Sequence, residues 1–193
     1  MTDNNQNEWV TDMLVGSTSA TPAEMLEDVI ADPRCVAFGP VHHYIVGGVL
    51  LACWRNAEAS PNRDSLLAAD LEKMAERSNA VPGAACAHWG VCGTAASAGM
   101  AYAIIRNNTP LQKEGWAEGQ LLVSHLLTAI THAGTPRCCK RDARVAIREA
   151  IRHFNALSGP QLKESNAVLT CASFSANTAC INEACPYFPT HTE

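Results

Sequence analysis

Two adjacent cysteines, Cys138 and Cys139, head "TPRCCKRDARVAIREAI", Thr135 to Ile151, a stretch that otherwise reads as an amphipathic helix running from Pro136 to about Leu157. Thr135-Pro136 copies a helix start with Thr as cap and Pro in the first turn, and Cys138 stands where a capping carboxylate is usual. Unpartnered backbone N–H groups, the helix dipole and the nearby cations Arg137, Lys140 and Arg141 would stabilise a thiolate there, which predicts a depressed pKa for Cys138. Cys139 leads a face continued by Ala143, Ile147 and Ala150, so it is expected to point inward. A bridge between the two is unfavourable, since adjacent Cα atoms lie about 3.8 Å apart and unstrained disulfides need about 4.4 to 6.8 Å. The plain alternative is a small core residue next to a surface thiol.

Three further cysteines, Cys171, Cys180 and Cys185, follow a C-x8-C-x4-C spacing in "CASFSANTACINEACPYFP". This segment is polar and irregular, so three thiols within it suggest an anchor. Joined by Cys138 or Cys139 they would supply four sulfurs, enough for an all-thiolate zinc site or a four-iron cluster. Pro186 directly after Cys185 matches the ending of bacterial ferredoxin runs, while the close C-x2-C pairs usual for zinc are absent. A reduced tail packed by Phe174, Tyr187 and Phe188 is the competing reading. In "CAHWGVCGTAASAG", Cys92 precedes Gly93 and a helix start, which makes it a candidate reactive thiol or ligand by the same electrostatic argument. Cys86 and His88 could reach the same place. The full candidate ligand set is Cys92, Cys138, Cys139, Cys171, Cys180 and Cys185.

The elements that must position these groups are helical. A capping-box start at Thr21 to Glu24 opens a helix to about Ala31. Val41 to Ala57 is apolar all round and reads as a buried central helix, with a strand over Tyr44 to Val49 as the other possibility. Asp64 to Asn79 is amphipathic, with Leu67, Leu71, Met74 and Ala75 on one face. Gly93 to Asn107 is rich in small residues, Thr109 to Gln112 forms a single turn, and Trp116 to His132 ends at Gly134. Residues 1–20 read as a flexible segment and 160–193 as a cysteine-rich tail packed on a single all-α bundle.

Composition narrows the function classes. The chain has 193 residues, 47% of them hydrophobic and 17% charged, with a net charge of −5. Such a balance offers no basic field for nucleic acid. The polar, acidic N-terminus lacks a secretory pattern, and the longest apolar run is too short to cross a bilayer, so a cytoplasmic protein off the membrane is expected. Thiols stay reduced in that compartment, which turns nine cysteines toward metal or thiol chemistry rather than disulfides. His42 and His43, at the head of the central helix, could carry a proton beside a sulfur site. His125 and His132 share a helix face but lie too far apart for a metal pair. No phosphate loop, catalytic triad order or zincin motif is present.

"VCGTAASAG", "NNTPLQKEGW", "TPRCCKRDARVAI" and the tail ending in "CPYF" resemble an uncharacterised cysteine-rich domain family of bacteria and archaea, over roughly Val41 to Pro189. Some members of that family are fused to methyltransferase-like domains, and it carries no known activity. The resemblance implies that Cys92, Cys138, Cys139, Cys171, Cys180 and Cys185 are shared positions and that Cys35, Cys53 and Cys86 are extras. "CGTAASAG" is also similar to small helical redox-active proteins, which have a second cysteine where Thr94 stands.

Three readings follow. One is a metal or iron-sulfur protein in redox or sulfur-transfer chemistry, acting on a small molecule or a redox partner protein. Another is a binding module stapled by zinc. The third is a metal-free dithiol or metalloid-binding protein.

Overall fold

The longest apolar run folds as a helix, and every residue from His42 to Trp54 in it is buried. The strand alternative fails because seventeen helical residues satisfy their backbone groups internally while offering an apolar surface on all sides to neighbouring helices. A computed structural model describes residues 5–189, with side chains from residue 7. The elements are α1 (Asn5–Gly16), α2 (Pro22–Ala31), α3 (His42–Glu58), α4 (Arg63–Asn79), α5 (Ala85–His88), α6 (Gly93–Ile105), α7 (Trp116–His132) and α8 (Cys139–Asn155), followed by a single 3-10 turn at Asn182–Ala184. The fold is all-α, without a strand among the described residues.

Helix α3 is the hub, packed by α1, α2, α4, α6 and α8. Small residues let α6 come close: Ser97 Oγ accepts the Gly47 N–H at 2.8 Å, and Ala95, Ala98 and Ala101 are fully buried. Phe154 of α8 closes the other side, edge-on to Trp54 and Tyr102 with ring centroids 6.0 and 5.7 Å away. Helix α7 opens on Gly115, whose positive φ of 91° suits a residue without Cβ and whose N–H donates to Glu118 Oε2 at 2.9 Å. It closes before Gly134, at φ 111°, as expected.

Two expectations change. The segment read as flexible contains α1, with Trp9, Val10 and Leu14 buried against α3 and α4; its residues 1–4 lie outside the described residues. Helix α8 starts at Cys139 rather than Pro136, and the Thr135-Pro136 peptide is cis. Arg141 Nη2 donates to Gly134 O at 2.6 Å and Pro136 O at 2.8 Å. Those bonds hold the loop carbonyls in a turn that precedes the helix, so Cys138 is its N-cap, in extended conformation, and its side chain makes no capping bond. The Thr109 stretch makes turns only.

From residue 160 the tail runs over the bundle as irregular chain. It is tied by Lys163 N–H to Ala20 O (2.9 Å), by paired bonds between Asn155 and Leu162, and by Cys171 N–H to Tyr187 O (2.7 Å).

Candidate metal centre

The start of α8 carries a run of charges, "KRDAR", that a pattern reading would place on the surface. All four charged residues are buried: Lys140, Arg141, Asp142 and Arg144 are each under 5% exposed. Buried charges persist where partners compensate for lost water. Arg144 meets Glu27 through Nε and Nη2, both at 2.7 Å, and its guanidinium lies 5.2 Å from the centre of the Tyr187 ring. Arg141 Nε reaches Asp142 Oδ1 at 3.3 Å. Lys140 Nζ differs, donating to three neutral oxygens: Ile30 O at 2.8 Å, Cys35 O at 3.1 Å and Ser173 Oγ at 2.9 Å.

These three cations share one wall of a partly enclosed cavity between α8 and the tail. The rest of the wall includes Cys138, Cys171, Cys180 and Cys185. The free space between these side chains is small, about 20 Å³, room for roughly one water. Phe174 and Phe188, edge-on with centroids 5.1 Å apart, close its apolar side. The sulfurs receive N–H groups: Asn177 Nδ2 approaches Cys138 Sγ at 3.6 Å and the Asn182 N–H approaches Cys180 Sγ at 3.4 Å. Burial pushes the Cys185 thiol up, opposed by Arg141 and reinforced by Cys138 and Cys171. All four cysteines are free. Among the described residues no three His, Cys, Asp or Glu side chains stand close enough to hold one metal ion.

Cys139 and Cys92 do not line this cavity. One residue further round the helix, Cys139 faces inward as its apolar periodicity predicts, with Arg137 Nη1 3.8 Å from its sulfur. Burial pushes its thiol up to about 11, with Asp142 and Cys92 adding to the rise. Cys92, at the N-cap of α6, lies 3.1 Å from Thr94 Oγ1 and 4.0 Å from Asp142 Oδ2. A helix start alone would lower its pKa. Burial instead pushes the thiol up and the Asp142 carboxylate reinforces this, outweighing the hydrogen bonds from Thr94 and Ala95.

The histidines divide as well. His42 contacts Gly39 O through Nδ1 at 3.1 Å, and burial lowers its pKa to about 4, which leaves it neutral rather than a proton carrier near pH 7. The His43 ring presses on Gly93, and burial lowers its pKa too. His88 is exposed on the short α5, and neither it nor Cys86 reaches the cavity. Sequence reasoning misses Arg144, Ser173 and Asn177. The legible signal is the density of charge immediately after Cys138 and Cys139.

Residues 10–188 match the family of unknown function DUF5714. The chain belongs to this family. No curated protein and no solved structure matches it. The DUF5714 span takes in all nine cysteines, the tail as far as residue 188 and the helices α2 to α8. No helix among the described residues is long and apolar enough to cross a membrane.

Proposed function

We propose that this protein binds a four-iron four-sulfur cluster through Cys138, Cys171, Cys180 and Cys185 and uses it to carry single electrons to or from a redox partner. The observation that carries this reading is the four-thiol wall combined with Lys140, Arg141 and Arg144. A cluster held by four thiolates carries negative charge, and a buried ammonium whose oxygen partners, Ile30 O, Cys35 O and Ser173 Oγ, are all neutral favours such an occupant.

A single zinc fits less well, since its four sulfurs must each approach to about 2.3 Å and no such grouping exists among the described side chains. In a cluster each thiolate binds a different iron, so the four sulfurs need not meet at one point, and the irregular tail would have to move outward from α8 to admit it. The N–H groups directed at Cys138 and Cys180 are of the kind that tune cluster potentials. With all four ligands supplied by the protein no iron has an open position, which favours electron transfer over binding substrate at the metal. Cys92, with its raised pKa, is less suited to a sulfur-transfer nucleophile.

The test is anaerobic purification and reconstitution with ferrous iron and sulfide, followed by iron and sulfide analysis and electron paramagnetic resonance after reduction. A brown protein with matched iron and sulfide and a reversible one-electron signal supports the proposal. A colourless protein retaining one zinc, or one that takes up no iron, overturns it.

A further inference from the structure

We propose that His125 and His153 form a two-imidazole site for a nitrogen-preferring divalent transition-metal ion, which clamps α7 to α8. The site is separate from the cysteine cavity and does not depend on the cluster. His125 Nδ1 and His153 Nε2 face each other at 3.1 Å, with ring centroids 5.1 Å apart and planes inclined at 42°. Metal–imidazole bonds of about 2.0 to 2.1 Å at a tetrahedral angle place two nitrogens about 3.3 Å apart. An ion could therefore replace the bridging proton once each ring turns its lone pair toward a point off the line joining the two nitrogens.

The anchoring backbone is rigid. Leu122 and Leu126 flank His125 along α7, Ala150 and Phe154 flank His153 along α8, and all four are fully buried. Such support lowers the ordering cost of binding. The rings themselves reach solvent, so water can complete the coordination shell. Burial lowers the His153 pKa, His125 and Arg152 add to the fall, and Glu149, one turn before it, opposes it. Its carboxylate is held by Arg148 at 3.2 Å and Arg152 at 3.3 Å. It thus tempers the local field without serving as a free third ligand, in keeping with two protein ligands. Calcium and magnesium prefer oxygen ligands and soft ions would go to the thiols, which leaves nickel, copper(II) and zinc as the class selected by two imidazoles.

The experiment uses the full chain and nickel chloride. Paramagnetic nickel should broaden the imidazole signals of His125 and His153 together with nearby α7 and α8 amides. In His153→Ala, with amide signals elsewhere unchanged, half-broadening at His125 should need about tenfold more nickel or greater. His125→Asn, should the first variant misfold, should abolish broadening at His153 in the same way. Nickel taken up by thiols leaves this local readout intact. Equal broadening at His125 with and without His153, or none at either ring in the wild type, would overturn the site.

Discussion

Cys138 and Cys139 are consecutive in the chain yet serve different surroundings: Cys138 lies on the wall of the cysteine cavity, and Cys139 faces the core beside Asp142 and Cys92. The start of α8 separates them. Cys138 is still extended, and Cys139 is already helical.

This separation predicts opposite outcomes for two conservative substitutions. Cys138→Ser should abolish most of the visible absorbance of the reconstituted protein, because hydroxyl oxygen is a poor replacement for an iron-bound thiolate. Cys139→Ser should retain it and instead lower stability by about 1 to 3 kcal/mol, since it places a hydroxyl in a buried site. Iron content and thermal melts of the two variants check this, and equal iron loss in both would contradict the assignment.

Thiol labelling gives a second expectation. Burial raises the pKa of Cys53, Cys92 and Cys139, so in metal-free folded protein iodoacetamide near pH 8 should modify them slowly. Cys53, fully buried with its sulfur 3.7 Å from Met25 Sδ, should be slowest. Mapping of labelled peptides against pH checks the order. Fast modification of Cys92 below pH 8 would restore the helix-start argument that its burial now outweighs.

Much of the candidate centre is legible in the cysteine pattern alone. Three tail thiols without a core of their own point to an anchor, and a cationic helix start points to Cys138 as the fourth. Periodicity makes α2, α4 and α7 readable, because each repeats its apolar face over two turns or more, whereas α3 is legible only as an unbroken apolar run long enough for a buried helix. Helix α1 escapes such a reading although Trp9, Val10, Met13 and Leu14 form a stripe, since the polar run before it dominates the composition. The late start of α8 is illegible: it depends on Arg141 reaching back to two carbonyls, a choice that helix-start patterns do not encode. The burial of Lys140 and Arg144 is likewise hidden, because Ile30, Cys35, Ser173 and Glu27, which receive them, are distant in sequence.

Asp142 should give the metal-free protein a specific pH response. Burial raises its pKa to about 6 against the opposing pull of Arg141. The folded state therefore holds this proton more tightly than the unfolded chain does, so its contribution is most favourable below about pH 4 and is lost as pH rises to about 6. The span corresponds to about 3 kcal/mol at most. Asp142→Asn removes the titration. The stability of wild type relative to that variant should fall between pH 4 and 6 and stay flat above. Parallel profiles from urea unfolding would show that Asp142 does not titrate in this range.

The final expectation concerns Glu27 and Arg144, which join α2 to the cavity wall. The Arg144 side chain is 3% exposed and that of Glu27 25%. Glu27→Ala leaves a buried guanidinium without its carboxylate and should cost about 3 kcal/mol in the metal-free protein. Arg148→Ala, which removes a 66% exposed partner from Glu149, should cost less than about 1 kcal/mol. A cluster in the cavity would supply Arg144 with a second anion. The destabilisation by Glu27→Ala should then be smaller in the reconstituted protein, while that of Arg148→Ala is unchanged. Unfolding of both variants with and without reconstitution measures this coupling directly. An undiminished Glu27→Ala effect in iron-loaded protein would mean that Arg144 does not sense the occupant of the cavity.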